Sequence, residues 1–217
     1  MPGFNEGPMI GKTLASVTPW LPNIVVVDDG SSDDTAEIAA RAGAHVLRHA
    51  INLGQGAALG TGIRYALLQG AELIVTYDAD GQHRPEDIEV LLRTQREAGA
   101  DVVLGSRFLG GAENMPVSRR WLLKLAATYT RMTTGLHLTD AHNGLRLFTR
   151  AAAERMRIRQ NRMAHASEML EWLGSSGLRI AESPVRIVYT DYSLAKGQSF
   201  FSSFNILWDL WSSRLYQ

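Results

Sequence analysis

The sequence predicts an open α/β domain with a mostly parallel sheet and helices on both faces. Short apolar runs rich in Val and Ile alternate with stretches of helical periodicity. Each apolar run is followed by polar or glycine-containing residues, as expected where a strand ends and a loop leads into a helix. A chain of 217 residues is long enough to bury the core of one large domain.

The elements follow one another regularly through the first half of the chain. Ser31 or Ser32 can cap a helix through about Ala42, and Gly70 closes an Ala- and Leu-rich helix that begins at Gln55. Pro85 is suited to the first turn of a further helix. The pattern predicts strands over 24–27, 45–48, 72–77 and 101–105, and helices over 31–42, 55–69 and 85–98. This βαβ order is typical of parallel strands joined by helices.

The second half is less regular. We predict helices over 119–134, 163–174 and 199–215, a strand over 145–148, and extended segments at 179–180 and 185–189. No linker separates these elements, so we predict one domain over residues 1–198 with an appended amphipathic helix over 199–217. The apolar stripe of that helix comprises Phe200, Phe204, Leu207, Trp208, Trp211 and Leu215. It could pack on the core or a second subunit, or contact a membrane surface or a membrane-protein partner.

The N-terminus departs from the pattern, because Met1 and Pro2 lead directly into Gly3-Phe4-Asn5-Glu6 without a preceding apolar run. We expect a strand before Pro2 in the natural protein, since such a strand is normally central in this kind of sheet. Extending the chain upstream by a few apolar residues is expected to raise its thermal midpoint.

Composition excludes several classes of function. The 22 basic and 22 acidic residues give a formal net charge of zero, which argues against non-specific nucleic-acid binding. There is no cysteine, so disulfides, thiolate zinc sites, iron–sulfur clusters and cysteine nucleophiles are ruled out. No apolar run reaches about 18 residues, so no transmembrane helix is predicted. We expect a cytoplasmic protein, with peripheral association at the inner face of the cell membrane as a further option.

Polar residues collect at the ends of the predicted strands, where open α/β sheets bind their ligands. Asp78-Ala79-Asp80 follows a buried strand, with Gln82 close behind. Two carboxylates at this spacing can hold Mg²⁺ or Mn²⁺ against a diphosphate. The glycines of residues 52–56 precede a helix, but their spacing matches neither a P-loop nor a dinucleotide fingerprint.

Five segments occur in a specific order: Pro2-Gly3-Phe4-Asn5-Glu6, residues 26–35 with Asp28-Asp29-Gly30, residues 52–56, residues 78–83, and Gly105-Ser106-Arg107. Together they resemble the family 2 glycosyltransferases with the GT-A fold. Within that family the chain is most similar to the polyprenol- and dolichol-phosphate sugar transferases. The resemblance covers about residues 2–107, with weaker matches to about residue 200.

The resemblance implies an NDP-sugar donor and a Mg²⁺ or Mn²⁺ cofactor. Nucleotide-sugar-binding positions are then Pro2, Phe4, Glu6, Asp29, Asp78 and Arg107. The implied metal site consists of Asp78, Asp80 and Gln82. The implied catalytic residues are Asp80, Arg107, Asp140 and Lys196, of which Lys196 is taken from a segment that departs from the family's usual pattern.

Residues 140–146 resemble the family's Asp-x-x-x-Gly-Phe-Arg segment, with Leu145 in place of Phe. Transfer to a sugar hydroxyl needs a carboxylate base, for which Asp140 and Glu168 are candidates. A phosphate acceptor is already ionised, and Asp140 would then only orient the acceptor or an arginine. Cations available for an acceptor phosphate are Arg119, Arg120, and the run Arg155, Arg157, Arg159 and Arg162, although such a run can equally be a solvated surface.

The leading hypothesis is metal-dependent, inverting sugar transfer from an NDP-sugar to a polyprenyl phosphate. One alternative uses the same donor with a glycan or small-molecule hydroxyl as acceptor. Another is a degenerate, non-catalytic nucleotide-binding module. A nicotinamide-dependent dehydrogenase also has an α/β pattern, but the glycine spacing speaks against it.

Overall fold

The computed structural model describes residues 1–162, 164–190 and 192, and it contains eight strands within that part of the chain. The first sheet is parallel and has the order β1-β2-β3. Its strands are Pro2–Gly3, Val25–Asp28 and His45–Arg48. The second sheet has the order β4-β7-β5-β8-β6. Its strands, β4 to β8 in chain order, are Leu73–Thr76, Val102–Ser106, Gly111–Glu113, Arg146–Thr149 and Ile180–Val188.

The helices alternate with the strands as the sequence predicts. In chain order, α1 to α8 are Gly7–Val17, Thr35–Arg41, Gln55–Leu68, Asp87–Ala98, Arg107–Gly110, Val117–Thr134, Arg150–Arg155 and His165–Ser176. Strand β7 runs antiparallel to both of its neighbours, whereas β5, β6 and β8 are mutually parallel. The sheets are therefore mostly parallel, and the predicted α/β class is confirmed.

Helices cover both faces of the larger sheet. Val102 and Leu104 of β5 pack with Phe148 in a core that includes residues of α7 and α8. Val103, between them in sequence, points to the opposite side and packs with Ile88 and Leu91 of α4. This alternation is the period-two pattern of a strand that is buried on both sides.

Several sequence predictions differ from the structure. The prediction that no strand precedes Ile24 is wrong, because Pro2 and Gly3 pair with Val27 and Asp28 as β1. Helix α1, the short elements α5 and β6, and α7 were not predicted. The two extended segments after residue 178 are a single strand, β8. The predicted helix over 199–215 lies outside the described residues.

The predicted capping of α2 by Ser31 or Ser32 is also wrong, because the helix begins at Thr35. The Ser31 hydroxyl instead accepts a hydrogen bond from the Asn5 backbone N–H (2.9 Å). The Asn5 side-chain oxygen in turn accepts from the Ser32 N–H (2.9 Å). These contacts fasten the loop after β1 to the loop after β2, and they hold Asn5 at a left-handed φ of 51°, which asparagine tolerates.

Between β2, α3 and β4 lies a mostly apolar cavity of about 510 Å³. Its wall includes Ile24, Ile63, Ile74 and Val75. Residues of both sheets line it, including Val25 of β2 and Ile74 of β4. In the described part of the chain, no helix is both long and apolar enough to cross a bilayer.

Candidate active site

The carboxyl ends of β1, β2, β4 and β5 surround one open cavity of about 550 Å³, called here the central pocket. Residues from both sheets therefore line it. Among the residues predicted from sequence, the lining includes Pro2, Phe4, Glu6, Asp29, Asp78, Asp80, Gln82 and Arg107. Asp140 lies behind this wall, and Lys196 lies outside the described residues.

Asp78 and Asp80 follow β4 and differ in their surroundings. The Asp78 carboxylate accepts from the Gln55 side-chain amide (3.2 Å) and is bonded to the His83 ring (3.1 Å). Burial alone would raise the pKa of Asp78, but the hydrogen bond and charge of His83 and the nearby Arg146 outweigh it and keep that pKa below its usual value. Asp78 is therefore ionised near neutral pH.

The Asp80 carboxylate accepts a hydrogen bond from the Gln82 backbone N–H (3.0 Å). Burial and the neighbouring Asp78 charge raise the pKa of Asp80 to about 6. Two carboxylates so close in sequence, one of them destabilised by the other's charge, form a donor set that suits a divalent cation. Among the described residues no group of three or more His, Cys, Asp or Glu residues could hold a metal; Mg²⁺ is commonly bound by one or two carboxylates together with waters and substrate phosphates.

Asp29, at the end of β2, anchors the loop before α3. Its carboxylate accepts from the backbone N–H groups of Leu53 (3.0 Å) and Gly54 (2.7 Å) and is bonded to the His49 ring (2.7 Å). Three partners leave little capacity for an additional strong contact. Asp29 therefore shapes the pocket wall at the start of α3, in addition to any contact that it makes with a nucleotide.

Arg107 and Asp140 form a buried ion pair at the back of the pocket. One Asp140 oxygen accepts from the Arg107 Nε (2.6 Å) and from the Arg107 backbone N–H (3.0 Å). The two terminal nitrogens of Arg107 donate to the Tyr189 hydroxyl and to the His142 carbonyl, both at 2.7 Å. The Asp140 side chain is fully buried, so it orients Arg107 and has no route to a substrate in this arrangement.

Glu168, the other candidate base, also has a structural role. Its carboxylate accepts from the backbone N–H groups of Arg159 and Gln160 at 2.9–3.1 Å. The 159–162 loop then packs on α3, where the Asn161 carbonyl accepts from the Ala57 N–H (3.2 Å). Within the basic run, Arg162 lines the central pocket, so Glu168 helps to place that cation.

Two glycines permit this close packing. A Cβ at position 56 would overlap the Gln160 carbonyl oxygen, and one at position 144 would overlap an Asp78 carboxylate oxygen. Neither neighbour can be displaced cheaply, since the first is backbone and the second belongs to the candidate metal site. In the sequence, Gly56 was identified as part of a helix start and as part of the 52–56 segment of the family resemblance.

Gln55 and His142 line the pocket, although no individual role was assigned to either from the sequence. Arg119 had been considered only with Arg120 as a phosphate partner, and it lies with its guanidinium 4.8 Å from the centre of the Tyr189 ring. Both ring nitrogens of His142 are buried without a hydrogen-bond partner in the structure. Burial and the nearby Arg146 lower the pKa of His142 to about 4, so the imidazole is neutral near pH 7. The position of His142 inside the 140–146 motif was the feature of the sequence that could have identified it as a site residue.

The family model described as "Glycosyl transferase family 2" matches residues 1–157. The chain belongs to glycosyltransferase family 2. Its membership, the enzyme class and the resemblance to polyprenol-phosphate sugar transferases are therefore confirmed, because the relatives include proteins so named.

This family 2 transferase is 31% identical to the UDP-N-acetylglucosamine–dolichyl-phosphate N-acetylglucosaminyltransferase of Methanococcus voltae, over 97% of the chain and 92% of the relative. It is 32% identical to the undecaprenyl-phosphate mannosyltransferase of Micrococcus luteus, over 90% and 85%. An uncharacterised protein of Methanocaldococcus jannaschii is 39% identical over 100% and 91%.

Among solved structures, the transferase resembles glucosyl-3-phosphoglycerate synthase of Mycobacterium tuberculosis crystallised with Mg²⁺ and UDP. The TM-score is 0.70 at 18% identity, over 97% of this chain and 76% of the other. The same synthase was also crystallised with Mn²⁺ and UDP-glucose. At this identity the likeness establishes the GT-A fold and does not specify the substrate.

Proposed function

We propose that the chain catalyses inverting transfer of a sugar from an NDP-sugar to the phosphate of a polyprenyl phosphate, with Mg²⁺ or Mn²⁺. The observation that carries this proposal is the engagement of both candidate bases. Asp140 is paired with buried Arg107, and Glu168 accepts from backbone N–H groups. A hydroxyl acceptor would need a base to remove its proton, whereas a phosphate oxygen is ionised before it attacks.

The reaction then consists of one displacement at the anomeric carbon. An acceptor phosphate oxygen forms a bond to that carbon as the bond to the donor diphosphate breaks, giving an NDP and a lipid-phosphate sugar. Asp78 and Asp80 would hold the cation, with Gln82 as the third candidate ligand. When bound there, the cation would neutralise charge that develops on the leaving diphosphate. Arg107, held by Asp140, is positioned for the same charge.

Pro2, Phe4, Glu6 and Asp29 are proposed to line the nucleoside end of the donor site. All four face the central pocket, and Glu6 is held by the Tyr192 hydroxyl (2.8 Å). Lys196 stays a candidate for the phosphate end. Relatives named for dolichyl or undecaprenyl phosphate support a membrane lipid as acceptor, and therefore action at the inner face of the cell membrane.

The acceptor class can be tested with matched lipids. The purified chain would be incubated with Mg²⁺ or Mn²⁺ and labelled UDP- and GDP-sugars, with a short-chain polyprenyl phosphate or the same polyprenol without phosphate. We expect product from the phosphate alone, and a rate that is flat from about pH 7 to 9 because no base must ionise. Equal transfer to polyprenol, or transfer to 3-phosphoglycerate or a glycan instead, would refute the proposed acceptor.

Replacing Arg119 is expected to weaken acceptor binding. Burial and the nearby Arg107 charge lower the pKa of Arg119, so an anion in the pocket would relieve an unfavourable charge. With a short-chain polyprenyl phosphate, Arg119→Gln should raise the acceptor KM about tenfold or more, since charge-assisted hydrogen bonds contribute about 1.5–3 kcal/mol. The donor KM should change little. Arg93→Gln, at an exposed position of α4, is the control, and an unchanged acceptor KM in Arg119→Gln would contradict the assignment.

His142 is expected to contact the transferred sugar. Its neutral ring offers one donor and one acceptor that are otherwise unsatisfied. His142→Phe should weaken binding of the NDP-sugar about tenfold while leaving NDP binding nearly unchanged, since removal of one neutral contact costs about 1 kcal/mol or more. Thermal stability should be preserved, because the variant removes an unpaired buried polar group. Calorimetric titrations with the NDP and the NDP-sugar measure both affinities, and equal losses for the two ligands would exclude a sugar contact.

A further inference from the structure

Helix α6 exposes an apolar stripe on the side opposite its buried face. The buried residues are Leu123, Ala126, Ala127 and Thr130. On the other side Val117, Trp121, Leu125 and Met132 are 61–81% exposed. At about 100° per residue these four side chains fall within one narrow sector. Together they form the outer face of α6.

All the charged side chains of α6 are cationic. The helix contains Arg119, Arg120, Lys124 and Arg131 and no acidic residue, although the whole chain has no net charge. Helical spacing places Arg120, Lys124 and Arg131 in one row beside the outer face, and all three are exposed. Arg119 points the other way, into the central pocket. The helix therefore has an apolar stripe, a cationic flank and one cation directed at the site.

We propose that the outer face of α6 docks on an anionic lipid surface. An exposed tryptophan and aliphatic side chains flanked by Arg and Lys are the composition of helices that lie in the membrane interface. Each cation near an anionic surface adds a favourable electrostatic contribution. An antiparallel two-fold contact with a second copy would bring equivalent cationic rows to the same side of the interface, whereas an anionic surface would neutralise them, so the charge favours the lipid.

The position of α6 places this surface near the candidate site. Arg119, in the first turn, stacks on Tyr189 and lines the central pocket, so a bilayer under the outer face would lie about one helix diameter, roughly 10 Å, from the pocket wall. A lipid phosphate could then enter without leaving the membrane. This last step rests on the proposed function, whereas the docking surface itself rests on α6 alone. It is also separate from the membrane contact predicted for residues 199–217.

Vesicle sedimentation tests the proposal. We expect the chain to bind phosphatidylcholine vesicles containing about 30% phosphatidylglycerol, and to bind pure phosphatidylcholine much more weakly. Lys124→Gln with Arg131→Gln should weaken binding about twenty- to thirtyfold, roughly fivefold per charge. Trp121→Ser with Leu125→Ser should weaken it at least tenfold. Matched controls are Arg64→Gln with Arg93→Gln, and Leu68→Ser with Ile51→Ser, which change exposed residues elsewhere.

Three outcomes would overturn the proposal: no vesicle binding by the wild type, binding by the α6 variants that equals the wild type, or equal weakening by the controls. Light scattering tests whether two copies of the chain associate through the outer face. If the wild type is a dimer that does not bind vesicles, and Trp121→Ser with Leu125→Ser converts it to a monomer, the outer face is a self-association surface. Transfer to a water-soluble short-chain acceptor should be unchanged in Lys124→Gln with Arg131→Gln and in Trp121→Ser with Leu125→Ser. Failure of the docking surface is therefore distinguishable from failure of the proposed function.

Discussion

Replacing Asp80 by Asn is expected to stabilise the metal-free protein by about 1–3 kcal/mol at about pH 7.5 while abolishing metal-dependent nucleotide binding. Burial and the Asp78 charge raise the pKa of Asp80 to about 6, and each unit of such a shift corresponds to about 1.4 kcal/mol. Asn keeps the oxygen that accepts from the Gln82 N–H but removes the charge that the fold disfavours.

The sign of the pH dependence follows from that raised pKa. Between about pH 4 and 6 the folded state holds a proton on Asp80 that the unfolded state has lost, so the Asp80 contribution to stability falls as pH rises through this window. The advantage of Asp80→Asn should therefore be full above pH 6 and disappear near pH 4, where the wild-type carboxyl is also neutral. Metal-dependent binding by the wild type should weaken below about pH 6, because the protonated carboxyl is a poor ligand.

Urea unfolding in the presence of EDTA at several pH values measures the stability change. Calorimetric titration of UDP, GDP and dTDP, each with and without Mn²⁺, measures binding. Asp34→Asn is the control, since Asp34 is exposed, and it should alter neither quantity appreciably. An Asp80→Asn protein that is less stable than the wild type, or that still binds nucleotide only with metal, would refute the assignment of Asp80.

Removing Asp140 is expected to have the largest destabilising effect among the candidate residues. Asp140→Ala would leave the buried Arg107 guanidinium without its counter-charge, which costs about 3–5 kcal/mol. Burial would lower the pKa of Arg107, but Asp140 and Tyr189 hold it above its usual value, so the arginine remains charged. Breaking the exposed Arg96–Glu89 pair with Glu89→Ala should cost under about 1 kcal/mol.

A double-mutant cycle separates the pair from other effects of each substitution. Asp140→Leu combined with Arg107→Met removes both charges, and it should recover much of the stability that Asp140→Leu alone loses. Activity should not recover, because Arg107 is missing from the pocket. Additive losses in the cycle would mean that the two residues are energetically independent, contrary to the 2.6 Å contact.

Kinetics decide whether Asp140 positions Arg107 or acts as a base. For a positioning residue, Asp140→Asn should raise the donor KM and lower kcat, with a pH profile of unchanged shape. For a general base, Asp140→Asn would lower kcat, leave KM nearly constant and remove the acidic limb of the pH profile. That second outcome would favour the hydroxyl-acceptor alternative.

Elements in which apolar residues recur at regular helical or strand spacing could be predicted from the sequence. Strand β3 matches its predicted limits, and α3 begins at the predicted Gln55. Helix α5 and strand β6 could not be predicted in this way, because four and three residues are too few to show a period. Their formation depends on β8, with which β6 pairs.

The candidate site was predictable where its residues belong to motifs beside strand ends, as with Asp78 and Asp80. Sequence spacing could not reveal that the Asp140 carboxylate forms an ion pair with Arg107, because the two residues are 33 positions apart. It also could not show that Glu168 binds the 159–160 backbone, or that Tyr189 reaches Arg107. Those facts depend on distances that the tertiary fold sets.

The place of β8 in the sheet has a consequence for biosynthesis. This strand is the last one in the described part of the chain, yet it lies between β5 and β6. It also leads to Tyr189, which bonds Arg107, and to Tyr192, which bonds Glu6 across 186 positions. A nascent chain therefore cannot close the larger sheet or complete the pocket until β8 has left the ribosome, and until then the edges of β5 and β6 remain unpaired. Fragments that end before β8 should accordingly be inactive and prone to aggregate.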